Sequence, residues 1–214
     1  MDYEFNILAD HKMDTLPELP VMESFYTLQG EGFHQGKAAY FVRLGGCDVG
    51  CVWCDVKESW DANIHPVKKI EKIVEEIKTT PARMVVITGG EPLLHDLGAL
   101  TASLQLQGLA TNIETSGSSP LSGTWDWICL SPKKFKQPLE EIFPLANELK
   151  IIVYNHSDFA WAEKYAAKVS INCKLYLQPE WSRVSLITPQ IIDYIKMDPK
   201  WELSLQIHKY INVP

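Results

Sequence analysis

Apolar residues along this chain fall into two alternating rhythms. Short dense runs such as Ala38–Leu44 (AAYFVRL) and 84–87 (MVVI) carry the β-branched and aromatic residues of buried strands. Val67, Ile70, Val74 and Ile77 instead recur at helical spacing with Lys and Glu between them, and Pro81 closes that segment. Further helices are predicted over about 96–107 (stopped by Gly108), 139–146, 159–168 and 189–197, and strands over 109–114, 127–130, 149–153, 174–178 and 202–206. Strands alternating with helices of this length predict an α/β fold, a parallel sheet with helices outside it. The seven strand-like segments outnumber the full helices, and the early portion is irregular. An incomplete (partial) TIM-like barrel of parallel strands therefore fits better than a closed eightfold one. A single domain over 1–214 is expected, with 1–20 as an N-terminal extension.

Ligands gather at the C-terminal ends of parallel strands in such architectures. Arg43 and a cysteine cluster follow the first strand, Thr88-Gly89-Gly90-Glu91-Pro92 the second, and Glu114 to Ser118 the third. Ser131-Pro132-Lys133-Lys134 follows the fourth and Gln178-Pro179 a later one. Their shared position points to one common site.

Charge narrows the partners. With 20 basic and 27 acidic residues the net charge is −7, which argues against wrapping nucleic acid through phosphate contacts. It leaves room for a small anionic substrate held by one or two arginines. The first twenty residues hold no apolar run long enough for a signal peptide or membrane span, so the chain reads as cytoplasmic. Five cysteines, three of them clustered, then suggest metal or catalysis more than disulfides. Cys129 and Cys173 lie in apolar runs and read as core thiols.

The clustered three are Cys47, Cys51 and Cys54, spaced C-x3-C-x2-C. A [4Fe–4S] cluster ordinarily takes four thiolates, so three leave one iron open to a small molecule. The competing reading is zinc, which needs four ligands in a closed tetrahedron. His65 is a candidate fourth ligand, but it lies too far past Cys54 for a familiar knuckle. The scattered tryptophans, Trp60 and Trp181 among them, read as core or interface.

The three-cysteine spacing after a first strand, with Trp53 before the last cysteine, resembles the signature of the radical S-adenosylmethionine superfamily. Gly89-Gly90-Glu91 resembles its GGE segment. Three stretches resemble one branch, the 7-carboxy-7-deazaguanine synthases: ESFYTLQGEG from Glu23 to Gly32, FVRLGGC from Phe41 to Cys47, and LQIHKY near the end. Together these motifs cover the chain from about residue 22 to its C-terminus.

That resemblance implies a carbon–nitrogen lyase converting 6-carboxy-5,6,7,8-tetrahydropterin to 7-carboxy-7-deazaguanine plus ammonia, on the way to queuosine and other 7-deazapurines. It implies a [4Fe–4S] cluster on Cys47, Cys51 and Cys54, S-adenosylmethionine, Mg2+, a flavodoxin- or ferredoxin-type electron donor and a homodimer. A 5′-deoxyadenosyl radical would do the chemistry, with no protein general acid or base. Leu28, Gln29, Gly30, Glu31, Arg43, Thr88, Glu114, His208 and Pro214 would bind the substrate. Trp53, Asp55, Gly89, Gly90, Glu91, Ser131, Pro132, Lys133 and Gln178 would bind S-adenosylmethionine. The sequence departs from the family pattern at Val56, where a Thr or Ser oxygen ordinarily ligates magnesium; Asp55 is the remaining candidate ligand. Two other readings stay open: an activase of the same superfamily that installs a glycyl radical on a partner, and a zinc-stabilised interaction module.

Overall fold

Alternation along the strands sorts the sheet into two unlike faces. In the computed structural model, which describes residues 17–214, the strands are β1 Glu18–Leu28, β2 Ala38–Leu44, β3 Val67–Lys69, β4 Met84–Gly89, β5 Ala110–Thr115, β6 Trp127–Leu130, β7 Glu148–Val153, β8 Lys174–Pro179 and β9 Trp201–Leu203. The helices are α1 Ile70–Lys78, α2 Gly98–Leu106, α3 Ser157–Ala166, α4 Val184–Met197 and α5 Ile207–Ile211. Val42, Leu44, Val85, Ile87 and Ile113 point to one side, where the buried faces of α1 to α4 complete the main core. The intervening residues point the other way. Ala39, Phe41, Met84 and Val86 form a small apolar floor there, and the next positions along the same strands are Arg43 and Thr88. The inner face thus changes from apolar to polar toward the strand ends.

The sheet runs β3-β1-β2-β4-β5-β6-β7-β8-β9. From β2 to β9 every neighbouring pair is parallel, and β1 is antiparallel to both β2 and β3. No pairing joins β3 to β9, so the barrel is open, and its seven parallel strands match the seven segments expected from sequence. Among the described residues no helix is long and apolar enough to cross a membrane.

Four expected boundaries move. Val67 lies in strand β3, paired with Pro20 and exposed, so α1 begins only at Ile70. Its N-cap, Lys69, makes no side-chain cap bond, a loss of about 1 kcal/mol. Burial of Ile70, Ile73, Val74 and Ile77, at roughly 1.5–3 kcal/mol each, outweighs that. The stretch 139–146 is a run of 3-10 turns, not an α-helix, because Pro144 removes an N–H and restricts Phe143. Helix α4 starts at Val184, ahead of Pro189. The last strand is Trp201–Leu203, and the chain then folds into α5. Residues 1–16 of the expected extension lie outside the described residues, and Glu18 onward belongs to β1.

Candidate functional site

The loop after β2 carries the three cysteines and is tied down by backbone bonds on both flanks. Gly46 N–H donates to the Ser59 carbonyl at 2.7 Å and Cys47 N–H to that of Trp60 at 3.1 Å. Cys47, Cys51 and Cys54 all line one cavity at the C-terminal ends of the parallel strands. Among the described residues no three Cys, His, Asp or Glu donors converge as on a single ion. His65 is spent elsewhere, its Nε2 within 2.8 Å of the Glu58 carbonyl. A zinc ion requires convergence, whereas a four-iron cluster offers a separate iron to each thiolate. The donor set fits the cluster. Burial pushes the free Cys47 and Cys51 thiols up, Cys51 to about 11, so a bound cation must favour their thiolates.

The glycines of the GGEP turn have a reason the sequence did not disclose. A Cβ on Gly89, whose φ is +122°, would lie 2.2 Å from the Leu44 carbonyl oxygen. One on Gly90 would lie 2.1 Å from that of Gly46. Gly90 and Glu91 N–H groups donate to Leu44 and Gly46 carbonyls at 2.9 and 2.8 Å. This turn is therefore packed directly against the cysteine loop. Glu91 is 1% exposed and its carboxylate accepts from Thr115 Oγ1, Ser116 Oγ, Ser116 N–H and Leu93 N–H. The three from Thr115 and Ser116 lock the turn after β4 to the end of β5, and the Leu93 bond caps the turn that follows.

Across the cavity, Arg43 and Thr88 are register partners on β2 and β4. The Arg43 guanidinium lies over the Phe25 ring and within 3.4 Å of Glu23, yet its Nε is buried with no hydrogen-bond partner among the described residues. The indole Nε1 of Trp60, also on the cavity wall, is likewise buried and unpaired. Buried donors are normally satisfied, so two orphans on one wall mark a place for an acceptor.

Another part of the cavity wall is a charged cluster of the expected Glu31 and Glu114 around Lys150, which sequence reading missed. Lys150 on β7 is buried, and its Nζ bonds Glu31 Oε2 and, at 3.1 Å, Glu114 Oε2. The outer oxygens accept from amides: Gln206 Nε2 holds Glu31 and Gln29 Nε2 holds Glu114, each at 2.9 Å. Burial alone would raise the Glu31 carboxyl, but Lys150 and the Gln206 and Gln178 amides hold it down to about 2. Burial pulls the Lys150 ammonium down, and Glu114 and Glu31 more than reverse this, keeping it well above its usual range. Lys150 was legible as an oddity: in ELKIIV, Glu148 and Lys150 occupy alternate positions of a buried strand.

The other expected residues divide. Trp53, Asp55, Ser131, Lys133, Gln178 and His208 line the same cavity. Pro132 faces an adjoining pocket with Trp53 and Lys133. Leu28 and Pro214 are exposed and do not line the cavity, and Gln29 acts through Glu114. Gly30 seats α5, because a Cβ there would lie 2.2 Å from His208 Nδ1. His208 is held below its usual range by burial, with Lys209 and Arg43 adding to it against Glu31 and Asp55. Trp60 and Trp181, expected in the core or an interface, are on the cavity wall. A magnesium site does not fit: Val56 has no donor atom and Asp55 is paired with Lys209 at 2.9 Å.

Comparison with known proteins agrees with this geometry. Residues 41–146 match the radical SAM superfamily. The chain is 57% identical over 196 residues to 7-carboxy-7-deazaguanine synthase of Flavobacterium psychrophilum, covering 92% of this chain and 93% of that one. It is 50% identical to the Synechocystis enzyme of the same name, over 91% and 93% of the two chains. The crystal structure of QueE from Escherichia coli superposes with a TM-score of 0.79 at 32% identity, covering 88% of this chain and 93% of that one.

Proposed function

The chain belongs to the 7-carboxy-7-deazaguanine synthases, a family of radical SAM enzymes, and we propose that its substrate is 6-carboxy-5,6,7,8-tetrahydropterin and its products 7-carboxy-7-deazaguanine and ammonia. The family implies a [4Fe–4S] cluster and S-adenosylmethionine, which when bound supply one-electron, hydrogen-abstracting chemistry. Cys47, Cys51 and Cys54 would hold that cluster, and the Gly89-Gly90 turn, Ser131, Lys133 and Gln178, which line the same cavity, would hold the cofactor. The protein itself binds, orients and excludes water.

One observation carries the substrate reading. The buried, unpaired Nε of Arg43 leaves part of a permanently charged fork reserved for an anion, and a carboxylate fills it bidentately. Opposite it, the ionised Glu31 and its neighbour Glu114 are acceptors suited to the N–H edge of a pterin. His208, held below its usual range by burial, lines the same cavity. A homodimer, a small electron-donor protein and a cytoplasmic setting complete the proposal. Magnesium is omitted, since the residues beside Cys54 do not offer it a site.

The test is turnover. Anaerobically reconstituted protein, holding about four irons per chain, is incubated with the carboxy-tetrahydropterin, S-adenosylmethionine and dithionite. Formation of the carboxy-deazaguanine is expected, with S-adenosylmethionine recovered unchanged. A fully reducible cluster that yields no deazaguanine would refute the assignment, and cofactor cleavage driven by a glycyl-radical protein would replace it with an activase.

A further inference from the structure

Lys150 has no place in the roles assigned so far. It is 3% exposed, and it sits on the cavity wall and not within the apolar core. Two carboxylates from distant parts of the chain meet on its single nitrogen, Glu31 from the loop after β1 and Glu114 from the end of β5. Each has its second oxygen pinned by an amide, Gln206 for Glu31 and Gln29 for Glu114. The other charged or titratable groups acting on Lys150 are Cys129 from β6, Glu148 on its own strand and the like-charged Lys133 from the loop after β6, while His208 of α5 and Arg43 of β2 share the cavity with the two glutamates. Glu148 is occupied by the Trp127 indole and the Phe33 N–H, and Cys129 is a buried thiol.

We propose that Lys150 is a positioning residue for substrate recognition: its ammonium bridges Glu31 and Glu114 so that both stay hydrogen-bond acceptors toward the N–H-bearing 2-amino-4-oxo edge of a bicyclic ring. The proposal rests on the pterin reading above. A carboxylate has about four acceptor sites, so each glutamate keeps sites free beyond its lysine and amide bonds. Without the ammonium, two part-buried carboxylates that met on one nitrogen face each other with like charge, which drives one of them toward its protonated form. One takes a proton and presents a donor where the ligand also presents donors. Recognition then fails at that edge, although nothing near the cluster has moved. Such a mismatch of buried polar groups discriminates strongly.

The experiment measures binding, with the reconstituted holoenzyme, of 7-carboxy-7-deazaguanine and of its analogue lacking the 2-amino group, by calorimetry from pH 6 to 9. Wild-type protein should prefer the 2-amino ligand by about tenfold or more, with little dependence on pH. Lys150→Met should lose most of that preference at pH 7 and regain it toward pH 9, as the second carboxylate ionises. The double variant Lys150→Met with Glu114→Gln removes the like-charge pair, so it should show no such pH dependence. Should Lys150→Met fail to fold, the double variant decides the matter by its preference at pH 7. Wild-type preference with a flat profile in Lys150→Met would overturn the proposal; where only the double variant folds, wild-type preference at pH 7 would do so, since that variant has lost one of the two acceptor carboxylates. If wild-type protein binds neither this product nor the pterin, the functional reading itself fails, and that outcome is seen before any variant is made.

Discussion

Replacing Gly90 with alanine should detach the cysteine loop from the sheet. The added Cβ would lie 2.1 Å from the Gly46 carbonyl oxygen, 2.7 Å from its carbon and 3.0 Å from Cys47 Cβ. Ordinary contact begins at 3.4 Å, so the loop must withdraw by roughly 1 Å. Two of these three atoms are backbone, so no side-chain rotation relieves the clash. Overpacking costs about 1–3 kcal/mol, and the two backbone bonds stretched by the withdrawal, Gly90 to Leu44 and Glu91 to Gly46, add about 1 kcal/mol each. The total, about 3–5 kcal/mol, is a large share of a stability of about 5–15 kcal/mol. For a chain of this size it corresponds to a fall in Tm of roughly 6–20 °C. Iron retained per chain after anaerobic reconstitution, read beside a thermal melt, checks it. Gly50→Ala is the control: it lies in the same loop at φ +71° with nothing within 4 Å, so only a backbone cost of about 1–2 kcal/mol applies. Gly90→Ala should lose iron and Gly50→Ala should keep it. Equal iron content and Tm in the two variants would refute the reasoning.

Arg43→Lys keeps the charge but loses the planar fork, so the KM for the pterin should rise about tenfold with kcat little changed; an unaltered KM in steady-state assays would exclude an anion contact. Chelating magnesium should lower turnover by less than about twofold, because the chain offers Mg2+ no oxygen at Val56, and Val56→Thr should increase that dependence; a sharp loss in the unmodified enzyme would contradict this. Acid should expose the Glu31 pairing. Its carboxyl is lowered from 4.5 to about 2, so its contribution is fully present above pH 4.5 and is lost as the pH falls through about 2. Urea midpoints of the apoprotein between pH 5 and 2 should therefore fall less steeply in Glu31→Gln than in the wild type.

How far the sequence carries depends on the range of the interaction that fixes each feature. The seven parallel strands were legible because each is a local run of buried β-formers, and periodicity needs no partner to be read. The cysteines, the GGEP turn and Arg43 were legible because their spacing is local too. Strand β1 was not, since its alternation is broken by Pro20 and by the irregular register between Val21 and Glu23, and only pairing with β2 shows it extended. Val67 fitted a helical period and yet lies in a strand, because Pro20 of β1 takes it as a partner first. The site divides along the same line. Gln29 and Glu31 were noticed as a motif, but their work is done on Glu114, Lys150 and Gln206, up to 175 residues away along the chain. Lys150 belongs to no motif, and within its strand it reads, with Glu148, as one of two stray charges among leucine, isoleucine and valine. A buried lysine is costly unless paired, and here the pairing carboxylates come from two other strand ends. Its presence in a strand core was therefore already a statement that acids must converge there; the fold supplied only their names.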